Sequence, residues 1–148
     1  MQWTNGDYEL TDEPGRLDRD VVCTLLQGTY WAAHRSRKTI EKSLRHSLNF
    51  SLFRAGRQVG FARVITDYAT HAYLCDVVIA AEHRGQGVGK WMLRCLLDHP
   101  ELATVRTDLF TRDAGEFYRS FGFAPHRFEC LVHYAPGYAD GSGATLPP

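Results

Sequence analysis

The stretch EHRGQGVGK, residues 82–90, sets glycines at 85, 87 and 89 between Arg84 and Lys90, directly after the apolar run VVIA at 77–80. Glycine loses more backbone freedom on folding than any other residue, so three in five positions work against stability unless the chain needs them there. Two phosphate-binding patterns can be counted against the spacing. A P-loop ending in Gly89 and Lys90 would place Arg84 at its first glycine and Trp91 at its magnesium-binding hydroxyl. A dinucleotide fingerprint requires a two-then-three glycine spacing, and here it is two and two. Both fail. What remains is the physics the two share: a strand end, a loop that exposes successive N–H groups, and a helix N-terminus carrying about half a positive charge. This combination describes a pyrophosphate cradle.

Working outward, HAYLCDVVIAA before the loop reads as a long strand whose apolar centre predicts cover on both faces. VGKWMLRCLLDH after it reads as a helix stopped by Pro100. Upstream, NFSLFR and QVGFARVITD flank AGR and predict a hairpin, which makes a three-strand meander with the strand before the loop. Before the meander, KTIEKSLRHSL puts Ile40, Leu44 and Leu48 on one helical stripe, and RDVVCTLLQGTYWA predicts an earlier helix; a first strand is expected near DYELTDE. Downstream, TVRTDLFT predicts a strand and AGEFYRSF a short helix, with Asp113 and Glu116 spaced as a capping box and Gly122 as the C-terminal cap. RFECLVHY predicts a last strand. The expected fold is mixed α/β in one domain over 1–135, its central sheet mostly antiparallel, with the Gly- and Pro-rich 136–148 as a flexible tail.

Composition limits the function. The 148 residues carry 17 basic and 17 acidic side chains, so no global charge footprint points to nucleic acid or to an anionic membrane. No segment approaches the roughly 20 apolar residues of a membrane span, and the N-terminal residues lack a signal-peptide pattern, so a cytoplasmic protein is expected. Cys23, Cys75, Cys95 and Cys130 sit in apolar surroundings and read as packing thiols; the seven histidines show no zinc-ligand spacing, so no metal is expected.

Arg84-x-x-Gly87-x-Gly89 is similar to motif A of the GNAT N-acetyltransferases, whose loop holds the pyrophosphate of acetyl-CoA. A second motif in that family, a strand and a tyrosine-bearing helix followed by Gly-Phe, resembles TDLFTRDAGEFYRSFGF, with Tyr118 four residues before Gly122. The resemblance implies a splayed parallel strand pair in the sheet, about four flanking helices, and acetyl-CoA as donor co-substrate. It implies a wall formed by Arg84, Gly85, Gln86, Gly87, Val88, Gly89 and Lys90, and backbone contacts to the pantetheine arm from Val78 and Ile79. Thr111 stands seven residues before Tyr118, where the family commonly has asparagine, and becomes a cofactor-binding candidate. Tyr118 is expected to serve the leaving thiolate, since a phenol with pKa about 10 stays protonated at neutral pH.

Asp76 is a candidate base, because a carboxylate inside LCDVVI is out of place unless paired or used. A buried ion pair or a helix-capping contact explains it equally well, and the resemblance implies Tyr73 and His71, further back along the strand, as alternative bases. Tyr30, Trp31 and Arg35 are candidates for the acceptor pocket. The expected activity is acetyl transfer to a primary amine on a small molecule or peptide, by a monomer or homodimer. The alternatives are a noncatalytic acyl-CoA sensor and a nucleotide- or RNA-binding module, the latter opposed by the neutral charge.

Overall fold

The computed structural model describes residues 1–135 and Tyr138. Six strands form one sheet in chain order: β1 (Gln2–Asn5), β2 (Tyr8–Thr11), β3 (Leu48–Arg54), β4 (Arg57–Thr66), β5 (His71–Ile79) and β6 (Arg106–Asp108). Every neighbouring pair is antiparallel except β5 and β6, which run parallel. Among the described residues four helices flank the sheet: α1 (Arg19–Gln27), α2 (Arg37–Arg45), α3 (Val88–Leu97) and α4 (Gly115–Arg119).

Each face of the sheet carries its own core. On one, Leu10, Phe50, Leu52, Val64 and Leu74 pack against Met92, Leu93 and Leu96 of α3. On the other, Phe61 and Val78 pack against Val22 and Leu26 of α1 and Ile40 and Leu44 of α2. Burying a side chain such as Val22 or Leu26 contributes about 1.5–3 kcal/mol. The Asp18 side chain caps α1 by accepting from the N–H groups of Asp20 and Val21, and such a cap contributes about 1 kcal/mol. Burial therefore outweighs the cap in holding α1.

The meander and the helix after the glycine loop lie where the sequence puts them. The β3–β4 turn is the two-residue Ala55-Gly56, both with positive φ, the geometry that suits a tight hairpin. Several expectations need correction. The first strand is a hairpin, because Gly6-Asp7 turns the chain, with Gly6 at φ 56°, and lets β1 pair with β2. The first helix stops at Gln27 instead of running to Ala32. Gly28 follows it, and the Thr29 hydroxyl donates to Leu26 O at 2.6 Å, closing the last turn. Leu48 opens β3 rather than extending the α2 stripe.

The capping box at Asp113 and Glu116 does not form. Ala114 takes the cap position, Thr111 Oγ1 accepts from the Ala114 N–H at 3.0 Å, and Glu116 pairs with Arg119 instead. Gly122 does end that helix, at φ 89°. RFECLVHY forms no strand: Phe128 and Leu131 are 72% and 82% exposed. The Phe128 N–H is turned locally onto His126 Nδ1 at 3.1 Å, which competes with a ladder, and β6 offers only three residues to pair with. Cys130 lies in this segment and is exposed rather than packed, whereas Cys23 and Cys95 are buried. The 136–148 tail, Tyr138 aside, lies outside the described residues. Among the described residues no helix is long and apolar enough to cross a membrane.

Candidate active site

The glycine loop joins the end of β5 to α3 through a short 3₁₀ turn at Ala81–His83. Gly85 and Gly87 have φ of 73° and 78°, a left-handed conformation that side chains resist, so the path of the loop itself calls for these two glycines. Gly89 differs: it has ordinary helical φ, and a Cβ there would meet only Ile79 Cγ1 at 3.8 Å. Backbone shape does not require a glycine at 89. Open space lies where a Cβ on Gly85 or Gly87 would stand, so the loop presents bare backbone outward. Gly87 supplies no side-chain cap to α3, which leaves the N–H groups of its first turn without partners inside the helix and aimed, with the dipole, at the same space. Val88 sends its side chain into the core, so only its backbone can face a ligand. Gln86 and Lys90 are exposed.

Two side chains of the loop brace it. Arg84 Nε donates to Ile79 O at 2.7 Å, tying the loop to the end of β5. The Gln86 amide donates to Glu82 O and accepts from the Tyr8 hydroxyl at 3.1 Å, and that hydroxyl also lies 3.0 Å from His83 Nδ1. Tyr8 and His83 belong to this framework and were not legible as such in the sequence; their contact spans 75 residues of chain.

β5 and β6 pair only from His71 to Tyr73 against Arg106 to Asp108, while β5 runs on to Ile79. From Leu74 onward the β6 side of β5 has no strand partner among the described residues, so the two strands splay and leave β5 backbone open beside the glycine loop, the Ile79 carbonyl held by Arg84 excepted. Within that stretch β5 bulges. Its pairing with β4 shifts register between Phe61 and Arg63, and Asp76 takes φ 54°. The bulge turns the Asp76 carboxylate onto two guanidinium groups, Arg35 Nη1 at 2.7 Å and Arg63 Nε at 2.7 Å. Arg63 also donates to Ser47 Oγ. The sequence had left Asp76 between a catalytic base and a buried ion pair; the geometry supplies the ion pair, twice over.

Tyr118, on α4, packs edge-on against Phe117 and Phe123. Burial, with smaller contributions from the nearby Tyr30 and Asp113, pushes its pKa up to about 12. Its hydroxyl makes no hydrogen bond with any described residue. Tyr30 and Trp31 lie in the turn-rich segment that follows α1, ring centroids 4.9 Å apart and edge to face. That segment is clasped to the chain after β6: the Arg112 guanidinium sits 3.6 Å from the Tyr30 ring centroid, and the Tyr30 hydroxyl reaches Asp113 Oδ1 at a long 3.5 Å. Trp31 Nε1 is buried without a partner among the described residues, an unmet donor of a kind folded proteins rarely keep. The same segment carries Arg35 to Asp76.

Tyr73 packs on Phe110, and burial raises its pKa. His71 lies at the start of the parallel pair, Nδ1 3.1 Å from Arg106. A groove of about 710 Å³ runs along β6 and α4 past Thr111, Tyr118 and Phe123 to Phe128. It does not reach the glycine loop, and its outer wall is the unpaired segment after Pro125. The loop and splay, not this groove, carry the features of the cradle. No group of three or more His, Cys, Asp or Glu side chains that could hold a metal occurs among the described residues.

A parallel pair splayed beside an uncapped, glycine-lined helix start joins free strand backbone to a set of N–H groups suited to an anion. Residues 46–125 match the family described as "Acetyltransferase (GNAT) domain", and the chain belongs to that family of acetyl-CoA-dependent N-acetyltransferases. It is 31% identical to a Gibberella zeae protein named "Putative acetyltransferase", over 97% of this chain and 95% of that one. Among solved structures, a GNAT-family protein from Xanthomonas campestris is 38% identical with a TM-score of 0.83, covering 88% of this chain and 94% of its own. A GNAT acetyltransferase from Elizabethkingia anophelis, solved with acetyl-CoA bound, shares the fold at 12% identity and a TM-score of 0.64, over 81% of this chain and 78% of its own.

Proposed function

We propose that this enzyme transfers the acetyl group of acetyl-CoA to a primary amine by direct attack on the thioester. The observation that carries the reading is the uncapped start of α3 behind Gly85 and Gly87, set beside the free backbone of β5. The pyrophosphate lies on the N–H groups from Gly85 to Lys90, with Arg84, Gln86 and Lys90 at its rim. The pantetheine arm follows the unpaired side of β5 at Val78 and Ile79. Thr111, already accepting from the Ala114 N–H, holds the turn that presents Tyr118.

In the reaction the amine lone pair forms a bond to the thioester carbonyl carbon, and the carbonyl oxygen takes up negative charge opposite a backbone N–H near Val78 on the open side of β5. The C–S bond then breaks, and the nitrogen, positively charged since the N–C bond formed, gives up one of its own protons. Tyr118 donates a hydrogen bond to the departing sulfur. A phenol raised to about 12 is a much weaker acid than a thiol of pKa about 8.5, so it steadies the thiolate without giving its proton away. The proton that ends on sulfur comes from the nitrogen. The products are an N-acetyl amide and the free thiol of CoA. Asp76 is committed to Arg35 and Arg63 and holds the wall of the acceptor side. The incoming ammonium loses its proton to solvent before attack.

The test is thiol release from acetyl-CoA with a panel of amines, set beside the rise in melting temperature that acetyl-CoA alone produces. Stabilisation by acetyl-CoA with turnover of at least one amine is expected. Stabilisation without turnover of any amine would make the protein an acyl-CoA sensor, and no stabilisation at saturating ligand would remove the donor site.

A further inference from the structure

The ion cluster around Asp76 is unbalanced. Two guanidinium groups share one carboxylate, so the cluster carries one surplus positive charge. Arg63 and Asp76 are sealed, with side chains 8% and 1% exposed, while Arg35 is 25% exposed. Among the described residues no other acidic side chain lies within ion-pair distance of either arginine, and Arg35 Nε and Nη2 meet no protein partner. Arg63 and Asp76 alone would be a neutral pair. Arg35 is therefore surplus to neutralising the buried charge, and its long side chain is held in place by a carboxylate that cannot move away. A fixed, half-sheltered guanidinium with two open donors is suited to bind a planar anion.

Its position gives the anion a purpose. Arg35 shares a segment with Tyr30 and Trp31 and meets β5 at the bulge, two residues before Val78. In register along β4 and β5, Ile65 faces Tyr73 and Arg63 faces Cys75. Ile65, Tyr73 and Phe110 make an apolar shelf next to the cluster, with Ile65 and Phe110 exposed.

We infer that the acceptor is a small amine that also bears a carboxylate, and that Arg35 is the residue that binds that carboxylate. The surplus of one charge matches a monoanion better than a phosphate, which carries about −1.5 to −2 at neutral pH. This assignment rests on the acetyl-transfer reading above.

The experiment compares acceptors in pairs that share a body and differ in the carboxylate: phenylalanine against phenethylamine, and alanine against ethylamine, with O-phosphoethanolamine as a dianionic arm. In the wild type the carboxylate-bearing member is expected to win by about 10- to 100-fold in kcat/KM, the range of one hydrogen bond to a charged group. Arg35→Gln is expected to bring that ratio near one, mainly by raising KM for the carboxylate-bearing members, and Arg35→Lys to fall between. Acetyl-CoA should still stabilise both variants, which reports an intact donor site and fold. A wild-type ratio near or below one, a ratio that survives Arg35→Gln, a preference for O-phosphoethanolamine over alanine, or no turnover of either carboxylate-bearing amine by a protein that acetyl-CoA still stabilises each overturns the assignment. Failure of acetyl-CoA to stabilise the wild type overturns the acetyl-transfer reading instead.

Discussion

Tyr8 and Gln86, 78 residues apart in sequence, meet through a hydrogen bond of 3.1 Å from the tyrosine hydroxyl to the amide oxygen. One belongs to the second strand and the other to the glycine loop, so a side chain outside the loop helps set where the loop backbone stands. Tyr8→Phe removes this bond and the contact with His83 while keeping the ring in the α3-side core. The expected result is a 2- to 10-fold rise in KM for acetyl-CoA with kcat little changed, since each neutral hydrogen bond contributes about 0.5–1.5 kcal/mol. Steady-state kinetics at saturating acceptor checks it, and an unchanged KM would make the brace irrelevant to the donor site.

The three glycines of the loop should separate when replaced one at a time by alanine. Gly85 and Gly87 hold left-handed φ, so alanine there costs about 1–2 kcal/mol of backbone strain and lowers the melting temperature whatever the ligand does. Gly89→Ala meets open space and a normal helix, where alanine favours the helix by up to about 1 kcal/mol. It should leave the apo protein as stable or more so, yet cut the stabilisation by acetyl-CoA at least tenfold in apparent Kd. Undiminished binding by Gly89→Ala would mean that the ligand does not approach that position.

Tyr118→Phe should lower kcat by about 10- to 100-fold with little change in KM for acetyl-CoA, the effect of losing a donor that acts on the leaving sulfur. The pH profile gives a second readout. With the amine deprotonated in solvent, kcat/KM for the acceptor should rise with pH towards the acceptor's own pKa. Because Tyr118 is held up at about 12, no descending limb from its ionisation should appear below about pH 10. The linkage follows the same sign: a phenol whose folded pKa lies above its unfolded value adds stability that is fully present below about pH 10 and is lost as pH rises towards 12. A descending limb near neutrality that disappears in Tyr118→Phe would contradict the raised pKa.

Asp76→Asn distinguishes an ion-pair residue from a base. Removing the shared carboxylate leaves two guanidinium groups facing each other, one of them sealed. Breaking a buried pair from one side costs about 3–5 kcal/mol, on the order of a 10 °C fall in melting temperature for a domain of this size. The ascending limb of the pH profile should keep its position in whatever fraction remains folded. An unchanged melting temperature together with a lost ascending limb would return Asp76 to the role of base.

The sequence was most informative where structure is local. The meander, the long strand, the glycine loop and α3 follow from period and turn chemistry over contiguous residues, and the cradle lies within nine of them. Contacts made across the fold had no such signature. Nothing near Tyr8 announces its bond to Gln86, and nothing near Arg63 announces that it shares Asp76 with Arg35. Asp76 itself was conspicuous as a charge among apolar neighbours, but only the bulge decides which way it points. The segment after Pro125 failed in the opposite direction: its alternation fits a strand, yet a strand needs a partner edge, and β6 is three residues long.

The extra residue in β5 also changes how its sidedness is counted. Before it, Tyr73 and Cys75 share a face with Arg63 and Ile65; after it, that face belongs to Asp76 and Val78. The strand thus carries two reading frames, odd upstream and even downstream, joined at one residue. Deleting Asp76 alone would merge them into one regular alternation in which Tyr73, Cys75 and Val78 keep their shared face, at the loss of the carboxylate that Arg35 and Arg63 share. A strand that kept Asp76 but lost the bulge would instead roll one half to the opposite side, and the glycine loop, every motif intact, would leave from the wrong half of the sheet.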